Sequence, residues 1–285
     1  MRTAFIGLGQ MGARMAARLA DAGYTLTGYD AAGTAERLPD GGTAADSVAE
    51  ALAGADVALL SLPDGSVVEV VASEIAESGW TGCVFDHSTI GPEAAVRVHG
   101  LLAEAGIIYL DAPVSGGTRG AVRGTLAMMV SGERAEFERA TPVLKIMAKN
   151  LFYIGPAPGQ GQTMKLLNNL LSGVAMVATS EAVLFGEAHG LNPKVIIDVL
   201  NVSSGQNTAT SDKFPTRILN GRYDAGFTVD LLSKDVALYL AEAERIGARE
   251  KVARQVGETL AAMHDAMPGA DFTRVYSYLK RLGAA

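Results

Sequence analysis

Ala4-Phe5-Ile6-Gly7-Leu8-Gly9-Gln10-Met11-Gly12 decides the fold. The short apolar run Ala4–Ile6 closes on glycine, and an alanine-rich helical pattern (Met15, Ala16, Leu19) opens after it. Gly7, Gly9 and Gly12 have the spacing G-x-G-x-x-G at a strand-to-helix junction, where that spacing has a mechanism. The first glycine permits a tight turn, the second lets backbone approach a pyrophosphate, and the third lets helix and strand pack closely. The helix N-terminus adds unpaired N–H groups and a partial positive charge. The stretch implies a dinucleotide cradle; a plain tight turn is the alternative.

Outward from this stretch, strand-like and helix-like segments alternate to about residue 160. Thr3–Ile6, Thr25–Tyr29, Val57–Leu62, Cys83–Asp86, Ile107–Leu110, Leu126–Val130 and Phe152–Ile154 read as strands. Helical patterns lie between them near 11–22, 45–53, 66–77, 92–105 and 133–147. Such alternation predicts a mostly parallel sheet with helices on both faces. Gly155-Pro156-Ala157-Pro158-Gly159-Gln160-Gly161 is the strongest breaker cluster. Beyond it Thr163 to His189 reads as one helix, spanning roughly 40 Å at 1.5 Å per residue. Helical patterns follow near 193–201, 211–219, 230–246, 248–266 and 272–282. A boundary near 160–164 therefore separates an α/β domain, 1–162, from an all-α domain, 163–285.

Composition narrows the function classes. Apolar residues at 48% support sizeable cores, while charged residues at 19% and a mean hydropathy of +0.20 argue against disorder. A net charge of −7 and the absence of a basic run argue against nucleic acid as a partner. The single cysteine, Cys83, excludes an intramolecular disulfide framework and suits a reducing, cytoplasmic setting. Residues 2–6 are too short for a signal-peptide core, and no uninterrupted apolar stretch of about 18 residues suggests a membrane span. No Cys/His cluster or H-E-x-x-H spacing suggests a metal.

Three constellations carry candidate chemistry. Asp30 ends the second strand, 23 residues after Gly7, where an acid suits the adenosine ribose 2′-OH of NAD and repels the 2′-phosphate of NADP. Ala31, Ala32 and Gly33 follow it, with no adjacent arginine. The block Asp111-Ala112-Pro113-Val114-Ser115-Gly116-Gly117 follows a strand. Its Ser115-Gly116-Gly117 end offers a hydroxyl and consecutive backbone N–H groups to a carboxylate, or forms an ordinary turn. Lys165, Asn168, Asn169 and Ser172 share one face of the long helix. A polar stripe on an apolar helix means either solvent or a polar cleft, and a desolvated lysine there is suited to proton transfer.

Taken in order, Gly7–Gly12, Leu62-Pro63, Ser88-Thr89-Ile90, Asp111–Gly117, Lys165…Asn169 and Lys234-Asp235 resemble the β-hydroxyacid dehydrogenase family, of the 3-hydroxyisobutyrate dehydrogenase type. The resemblance spans most of the chain. It implies a Rossmann-type doubly wound sheet, followed by an all-α domain joined through a long interdomain helix. By its implication Gly7, Leu8, Gly9, Gln10, Met11 and Gly12 hold the pyrophosphate of NAD and Asp30 the ribose. Leu62, Pro63, Thr89 and Lys234 complete the cofactor contacts. Ser115, Gly116, Gly117 and Asn169 hold the substrate, and Lys165 is the general acid/base. The implied reaction is hydride transfer between NAD and a short β-hydroxy acid, giving a semialdehyde or ketone, in a homodimer or homotetramer.

The departures bear on substrate. Ser172 stands where 6-phosphogluconate dehydrogenases carry a glutamate, which argues against enolisation and decarboxylation. Arg119 beside the carboxylate loop and Gln206-Asn207 are candidates for specificity, and His87 for a place near the nicotinamide. Alternatives at this point are a semialdehyde reductase for tartronate, succinic or sulfonate-bearing substrates, an imine reductase, and a non-catalytic NAD-binding protein. Imine reductases usually lack the lysine.

Overall fold

Thr3, Ala4, Phe5 and Ile6 are all buried, so the strand they form, β1 (Arg2–Ile6), is covered on both faces. The computed structural model describes residues 1–283. It divides into two compact units, Met1–Lys165 and the residues from Leu166 onward. In the first unit β1 is followed by α1 (Gly12–Asp21), β2 (Thr25–Tyr29), β3 (Thr43–Ala44), α2 (Val48–Leu52) and β4 (Val57–Leu60). Next come α3 (Gly65–Glu77), β5 (Cys83–Asp86), α4 (Pro92–Glu104), β6 (Ile108–Asp111), β7 (Val114–Ser115) and α5 (Gly117–Arg123). The unit continues through β8 (Ala127–Ser131), α6 (Arg134–Met147) and β9 (Asn150–Gly155) into the start of α7 (Gln160–Ala188).

The sheet runs β3-β2-β1-β4-β5-β6-β8, with β7 and β9 also paired to β8. The strands from β3 to β6 are all parallel, whereas β8 is antiparallel to β6 and to β7 and parallel to β9. Alternate side chains enter two separate cores. Phe5, Leu59 and Phe85 pack on one face with Met15 and Leu19; Ile6, Leu60 and Val84 pack on the other with Val68 and Val98. This explains why the strands read as unbroken apolar runs. Cys83 lies in the first of these cores, where burial pushes its thiol well up. The order reverses between β1 and β4, so the crevice beyond their carboxyl ends is the topological switch point where such sheets bind ligands.

The unit boundary falls within α7, after Lys165. The second unit continues with α8 (Pro193–Leu200), a π-helix (Ala209–Ile218), α9 (Val229–Arg245), α10 (Lys251–Ala266), a 3₁₀ turn (Phe272–Arg274) and α11 (Val275–Leu282). Its core joins Met176 and Val183 of α7 to Phe214, Leu232, Val236, Leu260 and Val275. Phe214 and Tyr276 meet edge to face at 5.4 Å. By length and composition α7 would suffice to cross a membrane, yet 44% of its apolar window is buried in the protein. Three elements depart from the sequence reading: β3 and β7, of two residues each, and α5, where a glycine loop was expected.

Candidate active site

At the end of β1 the glycine loop takes the form its spacing requires. Gly7 has φ +91°, and a Cβ on it would run into Ser61 O; a Cβ on Gly12 would run into Gly7 O. Gly9 differs: a Cβ there would meet nothing within 4 Å, so space lies open before its backbone. α1 starts with no side-chain cap and no acidic residue in its first turn. Its N-terminal dipole is therefore left to an external anion. Leu8 N–H donates to Asp30 Oδ2 at 2.7 Å and Gly7 N–H to Tyr29 O at 2.9 Å, which locks the loop to the end of β2. Asp30 Oδ1 accepts from Ala32 N–H at 2.8 Å and lies 3.5 Å from Arg37 Nη1. The sequence showed no arginine next to Asp30, but the loop after β2 returns one. Open room at Gly9, an uncapped helix and a carboxylate at the neighbouring strand end fit a dinucleotide.

The loops after β4 and β5 are tied together. Leu62 is half-buried and Pro63 exposed, and Leu62 N–H donates to Ser88 Oγ at 2.8 Å. Asp86, wholly buried, accepts from Ser88 N–H at 2.9 Å and from Tyr109 OH at 3.1 Å; burial raises its pKa to about 6. His87 is buried as well, with Nδ1 2.9 Å from Ala112 O. A carbonyl only accepts, so the ring proton sits on Nδ1. Burial lowers this histidine's pKa to about 4, so it is neutral at pH 7 and ties β5 to β6. Thr89 is half-buried on the same loop.

Beyond β6 the chain passes through β7 to Gly116 (φ +130°) and Gly117 (φ +61°), left-handed conformations that favour glycine. Ser115 is half-buried and Gly116 exposed. α5 begins at Gly117 with no side-chain cap. Arg119, on the exposed side of α5, carries an exposed side chain.

Asp111 ends β6, and its carboxylate anchors the start of α7. It accepts from Gly159 N–H and Gln162 N–H, both at 2.8 Å, and from Ser131 Oγ at 2.6 Å. Ser131 Oγ in turn accepts from Gly161 N–H at 2.9 Å. These bonds satisfy N–H groups that every helix leaves orphaned at its start. Burial nonetheless raises the pKa of Asp111. The Gln162 side chain, fully buried, turns to the loop after β5. Its Oε1 accepts from Ile90 N–H at 3.0 Å and Gly91 N–H at 3.2 Å, and its Nε2 donates to Ser88 O at 2.9 Å. One turn later stands Lys165, only 7% exposed. Neither Asp111 nor Gln162 was given a role from sequence: Asp111 lies inside a quoted motif, and Gln162 falls between the breaker cluster that ends at Gly161 and the lysine motif.

In the second unit Asn169 is 5% exposed, and Asn168 half-buried. The stripe is therefore no solvated face. Asn169 Nδ2 donates to buried Asp235 Oδ2 at 2.5 Å, and Asn168 Nδ2 donates to Asn169 Oδ1 at 2.9 Å. Lys234 Nζ is 3.4 Å from Asp235 Oδ1. Asp235 thus orients Asn169, a role the sequence did not show. Asn207 is spent on structure: its Oδ1 accepts from Ala209 and Thr210 N–H at the start of the π-helix, and its Nδ2 donates to Thr179 Oγ1. Of the pair Gln206-Asn207, only the exposed Gln206 is open to a specificity role.

Residues 2–155 match the family described as the NAD-binding domain of 6-phosphogluconate dehydrogenase. Residues 159–279 match that described as NAD-binding of NADP-dependent 3-hydroxyisobutyrate dehydrogenase. The chain belongs to the β-hydroxyacid dehydrogenase family. Among β-hydroxyacid dehydrogenases it is 40% identical to the NAD-dependent L-serine dehydrogenase of Pseudomonas aeruginosa, with 82% of this chain and 83% of the relative covered. It is 36% identical to 2-(hydroxymethyl)glutarate dehydrogenase of Eubacterium barkeri, covering 84% and 81%. The solved 3-hydroxyisobutyrate dehydrogenase of Mycobacterium tuberculosis with L-serine superposes at a TM-score of 0.91, with 33% identity over 98% of this chain and 99% of that one. The family is one of NAD-linked oxidoreductases with a Rossmann-type domain and a helical domain, and this chain has both.

Proposed function

We propose that the chain transfers hydride reversibly between NAD and a short 3-hydroxy acid, with Lys165 as general acid/base. One observation carries the assignment of Lys165. It is a buried amine on the second turn of a helix whose first turn is fastened to the carboxyl ends of β5 and β6, on the ligand side of the sheet.

Bound NAD supplies the hydride acceptor, and the protein supplies position and electrostatics. Gly7–Gly12 and the uncapped start of α1 would hold its pyrophosphate, and Asp30 its adenosine ribose. Leu62, Pro63, Thr89 and Lys234 complete the cofactor contacts. The Ser115 hydroxyl and the amides of Gly116 and Gly117 receive the substrate carboxylate, with Asn169 on a neighbouring oxygen. Lys165, entering as the neutral amine, takes the proton of the substrate hydroxyl. In the reductive direction its ammonium returns that proton to the carbonyl oxygen.

The relatives' named substrates share a fragment. L-serine, 2-(hydroxymethyl)glutarate and 3-hydroxyisobutyrate each carry CH₂OH on the carbon next to a carboxylate. That fragment is the substrate class proposed here, and its oxidation gives a semialdehyde. A homo-oligomer in the cytoplasm completes the reading, supported by the single buried thiol and by an apolar stripe on α7.

NAD(H)-coupled turnover across hydroxy acids and semialdehydes of this class tests the proposal. Lys165→Ala should lower kcat roughly 10²–10⁴-fold with NADH affinity nearly intact. Near wild-type turnover by that variant would sink the assignment.

A further inference from the structure

We infer that Gln162 is a positioning residue that fixes Lys165 relative to the loop carrying Thr89; this rests on the acid/base reading of Lys165. Gln162 is 0% exposed, and its planar amide makes three bonds to backbone, to Ser88 O, Ile90 N–H and Gly91 N–H. Two of these groups flank Thr89 directly, so one rigid side chain holds that residue from both sides. Leu62 N–H on Ser88 Oγ extends the same tether to the loop after β4. Gln162 and Lys165 are three residues apart on one helix, a rise of about 4.5 Å. Any tilt of the first turn is therefore passed directly to the lysine.

The helix does not need this side chain for its own start. Asp111 and Ser131 already accept from Gly159, Gly161 and Gln162 N–H. The backbone is also closely packed there, since a Cβ on Gly161 would run into Met129 O and Asp111. What the Gln162 amide adds is register between the helix and the Ser88–Gly91 loop. The amide supplies an acceptor for two N–H groups and a donor for a carbonyl in one plane, whatever the pH. An ionised glutamate lacks the donor, and methionine of similar length lacks both. A misplacement of about 1 Å in a reacting geometry costs on the order of 10²-fold in rate. A residue that sets such a geometry acts on kcat rather than on cofactor affinity.

Gln162→Met and Gln162→Glu, with Lys165→Ala alongside, test the inference through kinetics and amide hydrogen exchange. In Gln162→Met, exchange at Ile90 and Gly91 should quicken, and kcat should fall about 10²-fold with the NADH Kd within about threefold. The deuterium isotope effect on kcat, with substrate labelled at the carbinol carbon, should rise as hydride transfer becomes limiting. Gln162→Glu keeps the acceptor for both amides and should lose less. If exchange at Ile90 and Gly91 quickens while kcat and the isotope effect stay at wild-type values, the inference is wrong. A parallel loss of kcat, NADH binding and melting temperature also overturns it, leaving a purely structural cap on α4. If Lys165→Ala is inactive and Gln162→Met is unaffected, only this inference fails. If Lys165→Ala is as active as wild type, the acid/base reading fails and this one with it.

Discussion

The Asp30 carboxylate is engaged on both oxygens, by Leu8 N–H on one side and by Ala32 N–H and Arg37 on the other. Its charge opposes a 2′-phosphate, while the guanidinium 3.5 Å away would attract one. With Asp30 at the ribose as proposed, preference between the two dinucleotides would depend on the pair rather than on Asp30 alone. Asp30→Asn keeps an oxygen for Leu8 N–H but removes the repulsion and releases Arg37. NADPH affinity should then rise about tenfold relative to NADH, the order expected for one partly exposed charge contact. Arg37→Ala in that background should take the gain back, and Arg37→Ala alone should sharpen the preference for NAD. Fluorescence titration of all four forms with NADH and NADPH measures the cycle. An unchanged ratio in Asp30→Asn would show that Asp30 does not read the ribose.

At the scale of one strand, the end of β5 buries two neighbouring titratable groups with opposite consequences. Asp86 is raised to about 6 by burial, so the folded state binds its proton more tightly than the unfolded chain does. Its contribution is full below the ordinary aspartate pKa and is lost as pH rises through about 6. His87 is lowered to about 4 by burial, so its contribution is full above the ordinary histidine pKa and is lost as pH falls through about 4. Each shift corresponds to on the order of 3 kcal/mol. Between pH 4 and 6 the two slopes oppose each other in the wild type. Asp86→Asn should therefore gain stability relative to wild type as pH rises from 4 to 7, and His87→Gln should gain as pH falls. Urea midpoints across that range read both differences, and a flat difference for either variant refutes its half. This balance was not legible in the sequence, where His87 stood as a candidate for a place near the nicotinamide and not as a buried tie to Ala112 O. Strands and helices with strong periodicity were legible, as were the glycine loop and the lysine helix. α5 was not: seven residues with Gly117 and Gly120 have weak helix propensity and take their shape from neighbours. β3 and β7 are too short to show a period. The contacts of Arg37 with Asp30, Asp111 with Gln162 and Gln162 with Ile90 come from loop path and long-range pairing, which local patterns do not carry.

For the molecule as a whole, α7 has two apolar sides with different destinations. Met176, Val177 and Val183 are buried in the second unit's core. Leu167, Leu171, Ala178, Ala182 and Phe185 recur at helical spacing on another face and are exposed, Leu171 at 67% and Phe185 at 70%. From Leu171 to Phe185 the stripe runs about 21 Å along the helix. On the homo-oligomer proposed above, this run is the interaction face and a second copy of the chain its partner. In an isologous dimer each stripe residue is buried twice, once per subunit. Burying one Leu or Phe side chain gives roughly 1.5–3 kcal/mol, so a change at one position removes about 3–6 kcal/mol from the assembly. Leu171→Glu should therefore weaken dimerisation by on the order of 10²–10⁴-fold and bury an unpaired charge besides. Because Leu171 lies outside the core, the helical circular dichroism of the variant should match wild type. Sedimentation velocity at micromolar concentration should show wild type at two or more times the chain mass and Leu171→Glu shifted toward the monomer. A wild-type monomer, or a Leu171→Glu variant that still sediments as the intact assembly, would remove this stripe from the interface.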